Sequence, residues 1–235
     1  MKDNNAVFNS GFFEQRRTIE SLIEESRADT DFYLFVSFGV FITTLGLHID
    51  NAIIVIGAML ITPILFPILA LGMGVVTSSQ ESIGRSLSII LKTLVVGVLV
   101  SFVTSFLLNQ HEMTEQILLA STPNLLYFFI AFASGIIASY SWVKQSISRN
   151  LPGVAISVAL VPPLSAIGVA ISLFSQDVFS GSIMLFAINL IGIVLAGILV
   201  FSLFGFADLR HVEEREIREE KREEEADRVL ENQHE

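Results

Sequence analysis

From Phe32 to Phe206 the chain carries only nine charged side chains: Asp50, Glu81, Arg85, Lys92, Glu112, Glu115, Lys144, Arg149 and Asp177. All but Lys92 fall in short polar breaks between apolar runs. A soluble body of this length needs a charged surface, and soluble domains carry about 25% charged residues. This chain has 16%, with a mean hydropathy of +0.65. The runs are of membrane length, since a span needs ~20 mostly apolar residues. These features predict an all-α integral membrane protein whose first partner is the lipid bilayer.

Six spanning segments are expected: Phe32–His48, Asn51–Val76, Ser86–Leu108, Asn124–Trp142, Pro152–Phe174 and Ser180–Phe206. They divide the chain into an N-terminal amphipathic segment (1–31), a six-helix membrane domain (32–206) and a charged C-terminal helix (207–235). An even number of crossings puts both termini on one side. That side would hold the four Lys/Arg before the first span, Arg85, Lys144, Arg149 and the six basic residues of the tail. The opposite side would hold none. Cytoplasmic loops carry the excess of Lys and Arg, so both termini are expected in the cytoplasm. Before the first long run there is no short apolar stretch of signal-peptide type.

Two of the spans contain prolines near their middle. Pro63 and Pro67 lie in Gly57–Val76, and Pro162 and Pro163 lie in Gly153–Leu173. A proline removes one backbone donor and crowds the carbonyl one turn back. In hydrocarbon each freed group costs several kcal/mol unless a neighbour, a hydroxyl or water satisfies it. The order of spans is plain, proline-broken, plain, repeated once, and a shift of 99 residues lays Pro63 on Pro162 and Phe102 on Phe201. Three spans per half force the halves into opposite orientations. The expected fold is therefore two inverted three-helix repeats with proline-broken second and fifth helices. Discontinuous helices at matching places in such repeats point to a central solute site. The plainer alternative is a pair of kinked structural helices packed through small residues.

The candidate substrate-binding residues follow from that geometry: Thr62, Pro63, Pro67, Pro162, Pro163 and Ser165 at the breaks, and Asn189 in the sixth span. An amide in mid-membrane must pair with another helix or line a wet cavity. Interhelical pairing is the simpler role. Asn124, after Pro123, is expected to cap the fourth span. No Asp, Glu or Arg lies deep in a span, although proton-coupled carriers commonly keep such a relay. His48, Asp50 and Asp177 read as loop positions. The four histidines have no metal-ligand spacing, the absence of cysteine removes thiol chemistry, and no nucleotide or hydrolase motif is present. No enzyme activity, cofactor, metal or nucleic-acid partner is expected.

The ends are of different material. In residues 1–31, Phe12, Phe13, Ile19, Leu22 and Ile23 recur at roughly helical spacing. The tail from Asp208 has six basic and twelve acidic residues, with Leu209, Val212 and Ile217 forming only a broken stripe. It reads as a solvated helix, or alternatively as a helix that pairs copies of the chain.

The runs GAMLITPILFPILALGMGV and GVAISVALVPPLSAIGVAI, the segment Ser121-Thr122-Pro123-Asn124-Leu125, and Asn189-Leu190 together resemble the bacterial and archaeal "uncharacterised hydrophobic domain" family, domain of unknown function 389. The resemblance covers roughly Ile49 to Phe204. The first break departs from it, reading TPILFP where a Met-Gly pair is expected between the prolines. It implies a six-helix prokaryotic membrane domain, hence the cytoplasmic (inner) membrane, and no substrate. The function expected is a transporter or channel-like carrier of a small solute or ion, held between the two broken helices. The alternative is a non-transporting, homo-oligomeric scaffold that presents its charged helix to a partner.

Overall fold

In the computed structural model of the protein, residues 11–110, 112–144 and 151–234 are described, without the side chains of 151–159, 224 and 227–234. Residues 1–10 of the N-terminal segment and Arg149 in the fourth polar break lie outside this set. Among the described residues every regular element is a helix.

The chain begins with α1 (Phe12–Glu25), whose buried residues Gln15, Thr18, Ile19, Leu22 and Ile23 fall on one face. Phe13, part of the expected stripe, is instead 86% exposed. Asp29 caps α2 (Thr30–His48) by accepting from Phe32 N at 2.8 Å. The chain then reverses within Ile49–Asn51. Asp50 takes the left-handed conformation that Asp tolerates better than most residues. Asn51 caps α3 (Ala52–Met59) by accepting from Ile53 N and Ile54 N. After α4 (Leu65–Thr77), Ser79 caps α5 (Gln80–Leu108). At ~1.5 Å per residue, the 29 residues of α5 extend beyond a bilayer core of ~30 Å. The short α6 (Glu115–Leu119) leads to α7 (Leu125–Val143), which Asn124 caps at 3.0 Å from Leu126 N. Then come α8 (Leu151–Ser172), α9 (Gln176–Leu203), a 3-10 turn over Phe206–Leu209 and α10 (Arg210–His234).

Hydrogen bonds place the helix ends at two levels. At the tail end, Gln15 Nε2 donates to the Phe204 carbonyl at 2.7 Å, and Lys144 Nζ lies 3.1 Å from Glu14 Oε2. At the α6 end, Thr114 Oγ1 donates to the Leu47 carbonyl at 2.6 Å. There His48 Nε2 lies 2.9 Å from Ser105 Oγ, which lies 2.6 Å from Ser172 Oγ, so α2, α5 and α8 are linked. His48 is thus the buried last residue of α2 rather than a loop residue.

Among the described residues four helices, α2, α5, α7 and α9, are long and apolar enough to cross a membrane. The outward face of α5 carries Leu87, Leu91, Val95, Leu99 and Val103 at a spacing of four, all exposed. An apolar stripe on the outside, with Ser86, Thr93, Ser101 and Ser105 buried within, inverts the pattern of a soluble bundle. It is the arrangement of a membrane protein.

The two proline-bearing runs supply the centre. In α4, Leu65, Ile68, Leu69 and Met73 are buried, and in α8 so are Leu160, Val161, Leu164, Ala166 and Val169. They differ in backbone. The first run is interrupted: α3 stops at Met59, and Leu60–Ile64 is not helical before α4 begins. Pro63 has no N–H for the Met59 carbonyl, whereas Pro67 sits in the first turn of α4, where its N–H would have no helix partner in any case. The expectation of a broken fifth span is overturned, because Pro162 and Pro163 lie inside the continuous helix α8. Packing from α2, α5, α7 and α9 encloses α8 and holds it helical despite the two missing donors.

The tail also departs from expectation. Rather than standing in solvent, α10 lies against α1, α4 and α5, with Ile217 fully buried. Arg85 Nη2 reaches Glu220 Oε1 at 2.6 Å, with both side chains close to nine-tenths buried.

Candidate functional site

A cavity of about 310 Å³ lies toward the α6 end, where the last turns of α3 face the proline pair of α8. This volume sits at the lower limit of the ~300–1,000 Å³ usual for small-molecule pockets. Val55 and Met59, four residues apart on one face of α3, form one wall, and Pro162 and Pro163 form another. Leu185 and Asn189, again four apart, bring α9 to it. Among the described residues, the polar groups on its lining are Gln116 from α6, Tyr127 from α7 and Asn189, and no charged side chain lines it. Such a site offers hydrogen bonds and apolar contact to a molecule that carries no net charge. An ion would lose its hydration there without a counter-charge.

The prolines shape the wall in two ways. Each ring presents an apolar surface to the cavity. Each missing N–H also withdraws a helix donor from a carbonyl four residues back, at Val158 and Ala159.

The sequence candidates divide into two groups. Pro162, Pro163 and Asn189 line the cavity, and Thr62, Pro63, Pro67 and Ser165 are not part of its lining. Thr62 is buried and donates to the Ala58 carbonyl at 3.2 Å, which satisfies a group at the frayed end of α3. Its hydroxyl also fills the space that a side chain at Gly39 would take, so α2 is held tightly against the interruption. Ser165 is fully buried, and its backbone carbonyl accepts from Ser101 Oγ of α5 at 2.7 Å. Its own hydroxyl makes no hydrogen bond. Pro67 is buried at the start of α4.

Met59, Gln116 and Tyr127 were missed by sequence reasoning. Gln116 and Tyr127 sit at the starts of helices that flank a polar break, and nothing local sets them apart from ordinary loop and cap residues. Gln116 is held in place by a hydrogen bond from its backbone N to Asp50 Oδ1 at 2.9 Å, which ties α6 to the α2–α3 turn. Among the described residues, no group of three or more His, Asp or Glu side chains is placed to hold a metal ion.

An uncharacterised protein of the archaeon Methanocaldococcus jannaschii is 27% identical over 152 residues, which is 64% of this chain and 47% of that protein. The chain thus spans about half the length of this relative. No solved structure matches. The family described as "Domain of unknown function (DUF389)" matches residues 59–195, from the last turn of α3 through most of α9. That match takes in both proline-bearing runs and most of the cavity wall, and the chain belongs to this family.

Proposed function

We propose that the protein carries a small solute across the cytoplasmic membrane of a prokaryote, as a transporter or channel-like carrier. The cavity between the interruption after α3 and the proline pair of α8 is its site. That cavity is the observation on which the reading stands. It is partly apolar, has three uncharged polar side chains among the described residues and lies between helices of a membrane bundle. An uncharged solute suits this lining best.

The bundle's packing supports an inverted repeat. If α2, α3–α4 and α5 form one half and α7, α8 and α9 the other, a two-fold relation pairs α4 with α8 and α5 with α9. It then demands that α8 pack on α5 as α4 packs on α9, and both contacts are made. Each contact is close at a glycine: Gly168 of α8 lies against Ser101 and the backbone of α5, and Gly72 of α4 lies against Val194 and Gly197 of α9. In this arrangement α3–α4 and α8 complete six crossings. Lys and Arg on the α1 and α10 side support cytoplasmic termini. The cavity's lining includes Gln116 of α6, whose end of the bundle this orientation puts outside. Ile68, Leu164 and Ile193 are fully buried in the bundle.

The docking of α10 on its own bundle weighs against the scaffold alternative, because Ile217 and Glu220 are already engaged. The deciding experiment is flux into proteoliposomes across a panel of uncharged metabolites, anions and cations, with cysteines placed in the cysteine-free chain. Flux of one uncharged class is expected. Asn189→Cys should react with a small polar thiol reagent and lose that flux, and Ser165→Cys should stay unreactive. Uniformly absent flux, together with an unreactive Asn189→Cys, would overturn the reading in favour of a scaffold.

A further inference from the structure

We propose that Glu213 is a proton-binding site, and that the proton it takes up locks α10 onto the α4–α5 turn. This inference is independent of the transport reading. Glu213 lies in the first turn of α10 and is 2% exposed, in a tail whose other described acidic side chains are largely solvated or paired. Its partners are two hydroxyls. Ser82 Oγ donates to Oε1 at 2.6 Å, and Thr77 Oγ1 makes a short contact with Oε2.

The hydroxyl of Thr77 has one proton and three acceptors within reach: the Met73 carbonyl at 3.1 Å, the Gly74 carbonyl at 3.2 Å and Glu213 Oε2. When Thr77 donates back along its own helix, the contact with Oε2 needs a proton on the carboxyl group, and the acid becomes the donor. When Glu213 is ionised, Thr77 turns its proton to the carboxylate. The Gly74 carbonyl then keeps its backbone partner, Ser79 N at 3.0 Å. Either protonation state leaves the site without an orphan group.

The nearby cations are committed elsewhere. On α5, Arg85 Nη2 lies 2.6 Å from Glu220 Oε1 and 3.2 Å from the Ile23 carbonyl, and Nη1 lies 2.8 Å from Ser26 Oγ. Glu81, also on α5, is met by Lys221 at 2.7 Å and Arg218 at 3.7 Å. From α1, Arg16 reaches Glu20 and Glu216. Helix α4 presents no charge, and Asp208 in the 3-10 turn is exposed. On α10 itself, Glu214 adds a second negative charge beside Glu213. Burial accordingly pushes the Glu213 carboxyl up from its ordinary value, opposed by the bonds from Ser82 and Thr77, while Glu214 raises it further and Arg85 lowers it slightly.

The sign of the effect follows by linkage. A group whose docked pKa is raised supports docking fully below its undocked pKa, and that support is lost as pH rises through the docked value. Acid therefore tightens α10, and alkali loosens it. The helix that is pinned matters. Thr77 ends α4, and the other end of α4 is the Leu60–Ile64 interruption beside the cavity.

The test uses the full chain in lipid nanodiscs, with nitroxides on Gln80→Cys and Glu223→Cys, both exposed positions in a chain without native cysteine. Electron–electron distance measurements across pH should give one narrow distance in acid. A second, longer population should grow in only above the ordinary carboxylate range. Glu213→Gln imitates the neutral acid and should hold the narrow distance at every pH. Thr77→Val removes one bond to the ionised form and should move the transition to higher pH, which keeps the test decisive if Glu213→Gln fails to fold. A distance distribution in the unsubstituted protein that ignores pH would overturn the proposal. So would a Glu213→Gln variant that responds as its parent does, or a Thr77→Val transition that does not move.

Discussion

Residues 60–64 and 160–164 carry similar chemistry and have different structures. Each stretch is apolar and holds proline in the middle of a membrane run, with a hydroxyl residue at hand: Thr62 within the first and Ser165 just after the second. Around Pro63 the helix is interrupted, and around Pro162 and Pro163 it is not. The difference lies in what surrounds them. Helix α3 runs at the edge of the bundle against α2 and α8, and Ile53, Ile56 and Leu60 are exposed. Little packing resists the loss of its last helical turn, and Thr62 and Ile61 satisfy the Ala58 carbonyl locally. Helix α8 is enclosed by α2, α5, α7 and α9. Unwinding it would break contacts on every side. Proline sets the local penalty, and the neighbours decide whether the backbone yields.

The sharpest way to break this comparison is to disturb the enclosure itself. At Gly168 an added side chain would meet Phe102 N and the Val98 carbonyl of α5, both at 2.6 Å, and backbone cannot move aside as a flexible side chain does. Gly168→Leu is expected to cost more than about 3 kcal/mol and to abolish folded, monodisperse protein, beyond the usual range of overpacking. Gly57 of α3 has nothing within 4 Å of an added Cβ. Gly57→Ala should leave the protein unchanged or more stable by about 0.5–1 kcal/mol through helix propensity. Thermal unfolding followed by size-exclusion chromatography measures both. Equal losses at the two sites would end the contrast.

Restoring the missing donors gives the next effect in size. Pro163→Ala adds an N–H inside an existing helix and is expected to stabilise by about 1–3 kcal/mol, within the known penalty of an interior proline. Pro63→Ala acts where the helix is already interrupted, and its gain should be smaller. Its signature is slower amide hydrogen exchange over 60–64, with little change at 160–164. Unchanged exchange in both segments would mean that proline is not what interrupts α3.

The smallest expected effects come from the two hydroxyls. Thr62→Val loses its bond to the Ala58 carbonyl and should cost about 1 kcal/mol. Ser165→Ala removes a buried hydroxyl that makes no hydrogen bond, and the change should lie within about 0.5 kcal/mol of neutral. Both are read from melting midpoints. A large loss at Ser165 would assign it a partner absent from the packed bundle, and would return it to the candidates for solute contact.

Much of the architecture was legible from residue type alone. Asn124 caps α7 as expected, where a short polar side chain precedes an apolar run. Ile19, Leu22 and Ile23 share the buried face that their spacing foretold. Asn189 was conspicuous because an amide in mid-span must find polar company, and it stands at the cavity. Thr62 and Ser165 were chosen for their place beside the prolines, but Thr62 packs against Gly39 of α2 and neither belongs to the cavity lining. Their rotational position depends on neighbours that local sequence does not specify. Glu213 was hidden among twelve acidic residues of the tail. The one available clue was the broken stripe of Leu209, Val212 and Ile217, since Ile217 lies four residues after Glu213 and shares its face.

Charge segregation and run length were enough to establish a helical membrane protein, because burying a polar group in hydrocarbon or exposing a long apolar run to water costs far more than any local preference. Side-chain type was enough to mark the Asn124 cap and the two unusual runs. The choice between an interrupted and a continuous helix was made by packing, as was the turning of Thr62 away from the cavity and the burial of Glu213 beneath the tail. These are contests of a few kcal/mol, and contacts between residues distant in the chain settle them.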